Sequence, residues 1–125
     1  MKKMFLINSA VYPLDTLVVV EHPPEDVVKY IETKLKYKLD AEEKKMFVVF
    51  KGLGKSIQLK NGAGVLWIKK FDGSVYWHWV LNHEIFHIVY QTIKHVGIKL
   101  SDSSEEAFTY LMEYLTKQIL KNLIN

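Results

Sequence analysis

The sequence predicts a single α+β domain, a small mixed sheet built around one long central helix with a second helix following it to the C-terminus. Order along the chain is the first reason: the β-branched, apolar runs that read as strands all lie before residue 72, and the two longest helical stretches come after it. Size is the second, since 125 residues can enclose one core but not two. Composition agrees, with 49% apolar and 25% charged residues, ordinary for a globular chain.

Residues 4–11 and 16–21 are apolar and β-branched and read as strands, with Pro13 and Asp15 marking the turn between them. Pro23-Pro24 stops the second strand, and Pro24 suits the first position of a helix. Val27, Val28, Ile31, Leu35 and Leu39 then form one apolar stripe, and Ala41 to Lys45 either extends that helix or makes a separate turn. Three short strands are expected at Met46–Phe50, Ser56–Lys60 and Gly64–Phe71, the last two joined by a tight Asn61-Gly62 hairpin. Asp72-Gly73-Ser74 turns the chain and caps a helix from about Val75 to Val96, where Gly97 stops it. Trp77, Trp79, Leu81, Ile85, Phe86, Val89 and Ile93 surround that helix with apolar groups, so it should be central. A last helix follows Ser101-Asp102-Ser103-Ser104 and runs to about Leu123 with the stripe Phe108, Leu111, Leu115, Ile119. The order β–β–α–β–β–β–α–α places the helices against one face of the sheet.

Charge and cysteine content narrow the chemistry. The formal net charge is +3, and all 17 basic residues are lysine. Without arginine the chain lacks the forked donor that reads guanine and grips phosphate, so no specific nucleic-acid partner is expected. The lysine clusters at 34–38, 44–45 and 69–70 read as solvated faces. No cysteine is present, which excludes disulfides and cysteine-ligated zinc. No run reaches the ~20 apolar residues that span a bilayer. The opening Met1-Lys2-Lys3-Met4-Phe5-Leu6-Ile7 looks briefly like a secretory leader, but Asn8, Ser9, Pro13 and Asp15 interrupt it. It reads as a first strand, and the protein as cytoplasmic, with no membrane partner.

Within the long helix stands His83-Glu84-Ile85-Phe86-His87, an H-E-x-x-H pentapeptide. Residues i and i+4 share one helix face, so both imidazoles can point at one metal ion. Glu84 then projects beside the metal, where it can take a proton from a metal-bound water. That is the zincin arrangement: two histidine ligands, a carboxylate general base and Zn²⁺. The plainer alternative is a pair of core histidines hydrogen-bonded to neighbours, which is costly for two imidazoles and a carboxylate without a strong partner.

An H-E-x-x-H helix followed by Glu105-Glu106-Ala107-Phe108 at the head of the next helix resembles the gluzincins, the thermolysin-like branch of zinc peptidases. The resemblance is closer to very small members encoded by phages and prophages, and to compact metallopeptidases that cleave repressors of mobile elements. It covers roughly residues 64–115. It implies a minimal zincin-like domain, and a third zinc ligand at the Glu preceding Ala, which is Glu106. Read from the residues alone, Ser103-x-x-Glu106 and Asp102-x-x-Glu105 are also capping boxes, so either glutamate can serve as a cap, and Glu105 stays open as the ligand. The Gly and third His of the metzincin extension do not follow His87.

Full-size gluzincins carry a later oxyanion-stabilising group, for which Tyr110 and His95 are the nearest candidates here, with ordinary burial as the other explanation of both. His78 lies opposite His83 on the helical wheel, and His22 reads as surface turn. The expected activity is zinc-dependent peptide-bond hydrolysis on a peptide or protein substrate, with Glu84 as general base. The rival is a non-catalytic zinc-binding module that engages a protein partner. Strand Gly64–Lys69 either binds an extended peptide by strand addition or lies inside the sheet.

Overall fold

The two most apolar strands pair with each other, and the sheet grows outward from them. The computed structural model describes residues 1–9, 12, 14–48 and 52–124. Strands β1 (Lys3–Ile7), β2 (Thr16–Val20), β3 (Gly54–Gln58) and β4 (Gly64–Ile68) form one sheet in the order β1-β2-β4-β3. β2 and β4 are parallel, and the outer pairings β1–β2 and β3–β4 are antiparallel. The helices are α1 (Pro24–Thr33), α2 (Ala41–Met46), α3 (Val75–His95) and α4 (Glu105–Ile124). Among the described residues no helix is long and apolar enough to cross a membrane.

Helices cover both faces of this sheet, not one. Val18, Val20, Leu66 and Ile68 share a core with Leu81, Ile85, Ile88 and Val89 of α3 and Leu111, Leu115 and Ile119 of α4. Leu17, Val19, Val65 and Trp67, the alternate residues of the same strands, pack with Val27 and Ile31 of α1, Leu39 and Phe47. Every residue of β2 and β4 is buried, which is the pattern of a strand covered on both sides. The parallel β2–β4 pair also requires a crossover, and α1 and α2 lie within it.

Two segments differ from expectation for local reasons. Met46–Phe50 does not begin a strand, because Met46 closes α2 and residues 47–48 form a turn; Val49 and Phe50 lie outside the described residues. Asp40 decides this by accepting from the Glu43 N–H at 2.8 Å while Glu43 accepts from the Asp40 N–H at 3.1 Å, a complete capping box. Glu43 is buried, and burial pushes its carboxyl up. The Lys60 and Asp40 N–H groups and the Tyr37 hydroxyl outweigh that and hold it below the usual range, so its role is structural. The first strand stops at Ile7, four residues short of the expected end; Asn8 and Ser9 are not strand, and Ala10, Val11 and Pro13 are outside the described residues.

The hairpin, both long helices and the two ends of α3 form as the sequence implies. Gly62 turns at φ +94° between β3 and β4. The Ser74 hydroxyl accepts from the Trp77 N–H at 3.4 Å, and Gly97, at φ +88°, ends α3. Phe108, Leu111, Leu115, Ile119 and Leu123 make the buried stripe of α4. The Tyr114 hydroxyl donates to the Asn8 carbonyl at 2.8 Å, and Lys3 donates to the Asn122 carbonyl, tying α4 back to β1.

Candidate active site

α3 is apolar all round, but only one of its faces meets the sheet. Leu81, Glu84, Ile85, Ile88, Val89, Thr92 and Ile93 are buried, whereas Trp79 is 71% exposed and Phe86 42% exposed. The expectation that apolar groups enclose this helix is therefore half met. The open face carries both histidines.

His83 and His87 are exposed, and their Nε2 atoms lie 3.2 Å apart. The core-histidine alternative does not survive that exposure. Two ring nitrogens at this distance either share a proton or point their lone pairs toward one cation. Zinc–nitrogen bonds of about 2.0–2.1 Å at a tetrahedral angle would set two ligand nitrogens about 3.3–3.4 Å apart. The pair fits that donor geometry without rearrangement of α3.

Glu84, one residue on, turns inward. It is 6% exposed, and its Oε1 accepts from the Ser56 hydroxyl of β3 at 2.8 Å. The same hydroxyl lies 3.1 Å from the Glu84 backbone carbonyl. No cation pairs with this buried carboxylate among the described residues, which is costly for an ionised group unless a positive charge comes close. Gly54 makes the approach of strand and helix possible: a Cβ there would lie 2.7 Å from Glu84 Cγ and 2.9 Å from its Oε2. Between β3 and α3 opens a cavity of about 390 Å³ lined by Leu53, Gly54, Trp79, Val80, His83 and Glu84.

Glu106 is not gathered with the histidine pair. It is exposed in the first turn of α4, and among the described residues no third histidine or acid joins His83 and His87. The Phe108 ring, 6.4 Å from Tyr90, sets the start of α4 beside the half of α3 that follows His87. Among the described residues the Glu106 carboxylate has no hydrogen bond or ion pair. Glu105 is equally exposed. Neither capping box of α4 has its hydrogen bonds among the described residues; Ser101, Ser103 and Ser104 bond to one another instead, and Ser104 to the Lys99 carbonyl.

Tyr110 is 65% exposed and His95 is exposed, so burial does not account for either, and neither lines the cavity. His78 Nδ1 bonds the Ser74 carbonyl at 2.8 Å, and His22 pairs with Asp26 at 3.0 Å; both are engaged away from the site. Strand β4 lies inside the sheet, so it offers no edge for peptide addition; among the described residues the edge strand beside the cavity is β3. Ser56, Gly54 and the exposed Trp79 are site residues that sequence reasoning missed. Their only trace in the sequence is position: two residues of one strand face, and one turn of helix before His83. No protein-family model, curated protein or solved structure matches this chain.

Proposed function

We propose that the protein is a zinc-dependent peptidase that acts on peptide or protein substrates in the cytoplasm. One observation carries this reading: a single helical turn presents two converging imidazoles to solvent and a buried, hydroxyl-held carboxylate to the cavity beside them. His83 and His87 would hold the ion, with Glu106 as the third ligand that the resemblance to gluzincins implies. When bound, zinc supplies the charge that makes water acidic near neutral pH and draws electrons from a carbonyl. Glu84 takes the proton of the attacking water and passes it to the leaving amine. In this reading the sheet with α3 against it and α4 after it is a minimal zincin-like domain, and β3 is the strand bordering its cleft.

The apolar lining from Leu53, Trp79 and Val80 suits a large apolar side chain next to the scissile bond. Trp79→Ala should raise KM several-fold for peptides carrying such a residue. At its exposure, stability should move by no more than about 0.5 kcal/mol; equal KM values would place substrate elsewhere.

The test is direct. Purified protein should contain one zinc per chain, and zinc-loaded protein incubated with unfolded protein or a peptide library should produce new termini detectable by mass spectrometry. Zinc bound without turnover would favour the second reading, a zinc-binding interaction module. That reading draws on the exposed row Tyr76, Trp79, Phe86 and Tyr90 on the histidine face of α3.

Metal that binds only the folded chain adds about 2.7 kcal/mol at a hundredfold excess over Kd. Chelation of a zinc-loaded sample should therefore lower its melting temperature on the order of 10 °C. The core should stay folded, because the packing around Ile85, Val89 and Leu115 does not involve the histidines. An unchanged melting curve would mean that the folded structure forms no such site.

A further inference from the structure

We infer that Ser56 is a positioning residue for Glu84, fixing one carboxylate oxygen from the edge strand so that the other serves the cavity. The inference rests on the proposed hydrolysis and adds to it a residue outside the H-E-x-x-H helix, 28 positions upstream of the base.

Three features of the geometry converge. The one Ser56 hydroxyl proton lies between Glu84 Oε1 at 2.8 Å and the Glu84 backbone carbonyl at 3.1 Å, and the closer, charged carboxylate oxygen is the stronger acceptor. Oε2 has no hydrogen-bond partner among the described residues, yet it is not among the sealed, unpartnered polar atoms, of which Gln91 Oε1 is the one found there. It is therefore open, and Glu84 and Gly54 both line the cavity. Gly54 lies two residues before Ser56, on the same face of β3, and only its missing side chain leaves room for the Glu84 carboxylate.

A glutamate side chain has three rotatable bonds, and a general base is effective only within hydrogen-bond reach of its proton. Packing from Gly54 and the bond from Ser56 remove most of that freedom before substrate arrives. Because Oε1 is occupied by a donor, the lone pairs of Oε2 are the ones available to the attacking water.

The experiment compares wild type, Ser56→Ala, Ser56→Thr and Gly54→Ala, each zinc-loaded, on one peptide that the wild type cleaves. Ser56→Ala should lower kcat by about 10- to 100-fold with KM and zinc affinity within about threefold of wild type. Ser56→Thr keeps the hydroxyl on a strand that accepts β-branching, and should recover kcat to within about threefold. Gly54→Ala should lower kcat as well, by pushing the carboxylate aside. Crystals of metal-free Ser56→Ala supply a readout independent of activity: Glu84 should leave its single position for a rotated or split one.

A Ser56→Ala protein with wild-type kcat, or one in which Glu84 has not moved, overturns this inference and leaves the peptidase reading standing. Threonine failing to rescue overturns it too, since a hydroxyl would then not be the active feature. A zinc-replete wild type that cleaves nothing overturns both.

Discussion

Glu84→Gln is expected to keep its zinc and its fold while losing hydrolysis by about 10²–10⁴-fold, the usual cost of removing a general base. The geometry makes this substitution a clean one. The carboxamide has nearly the volume of the carboxylate, so the tight approach of Gly54 is preserved. Its oxygen can still accept the Ser56 hydroxyl, now at 2.8 Å from Oε1. What is lost is the ability to take a proton. Stability should not fall, because a buried carboxylate with no cation partner is replaced by a neutral group of the same shape. Melting curves and zinc content of the two proteins should therefore agree, while new termini appear only with the wild type. Equal cleavage by both would identify a contaminating protease. A marked loss of zinc in the variant would instead make Glu84 a ligand and undo its assignment as base.

What the sequence conveyed about this site, and what it hid, follows from range. His83, Glu84 and His87 lie within two helical turns, so their relative placement follows from helix geometry once the Ser74 cap and the Gly97 stop identify the helix. Ser56 and Gly54 reach Glu84 across the strand–helix interface, and that contact depends on the β3–β4 register and on which side of the sheet α3 packs. Nothing local encodes either. Exposure of Trp79 was hidden for a related reason: a helix apolar on every side does not reveal which face the sheet leaves open.

The same contrast runs through the fold. Both long helices, the hairpin at Gly62 and the outlines of β2 and β4 follow from caps, turn residues and β-branched runs. The stripe through Leu35 and Leu39 suggested a longer α1, but that helix ends at Thr33 and Lys36 takes φ +54°, which no helix accommodates. Leu39 still reaches the core, 2% exposed, by way of an irregular segment. The two-sided covering of the sheet was implicit in the unbroken apolar runs of β2 and β4, a pattern that parallel pairing explains and one-sided packing does not.

His83→Ala and His87→Ala should each weaken zinc binding by at least about 100-fold, beyond what loss of a supporting hydrogen bond does to a metal site. Each removes one of two nitrogens that already converge at 3.2 Å, leaving no pair on α3 to hold the ion. Both side chains are exposed, so the variants should fold and melt, without metal, within about 0.5 kcal/mol of the wild type. Affinity can be read by competition with a chromophoric chelator. The same assay decides the third ligand, for which the protein offers two exposed carboxylates at the head of α4. Glu106→Gln should abolish tight binding and Glu105→Gln should leave it nearly intact, because a catalytic zinc needs three protein ligands and the glutamate before Ala107 is the one implied. For Glu106 to serve, its exposed carboxylate must come within bonding reach of the pair when the ion arrives, and among the described residues it has no hydrogen bond or ion pair to break. The reverse pattern would transfer the role to Glu105. If neither substitution changes affinity while both histidine variants lose it, α4 contributes no ligand. The histidine pair would then be completed from outside this helix, and the catalytic assignment would have to be withdrawn in favour of the binding module.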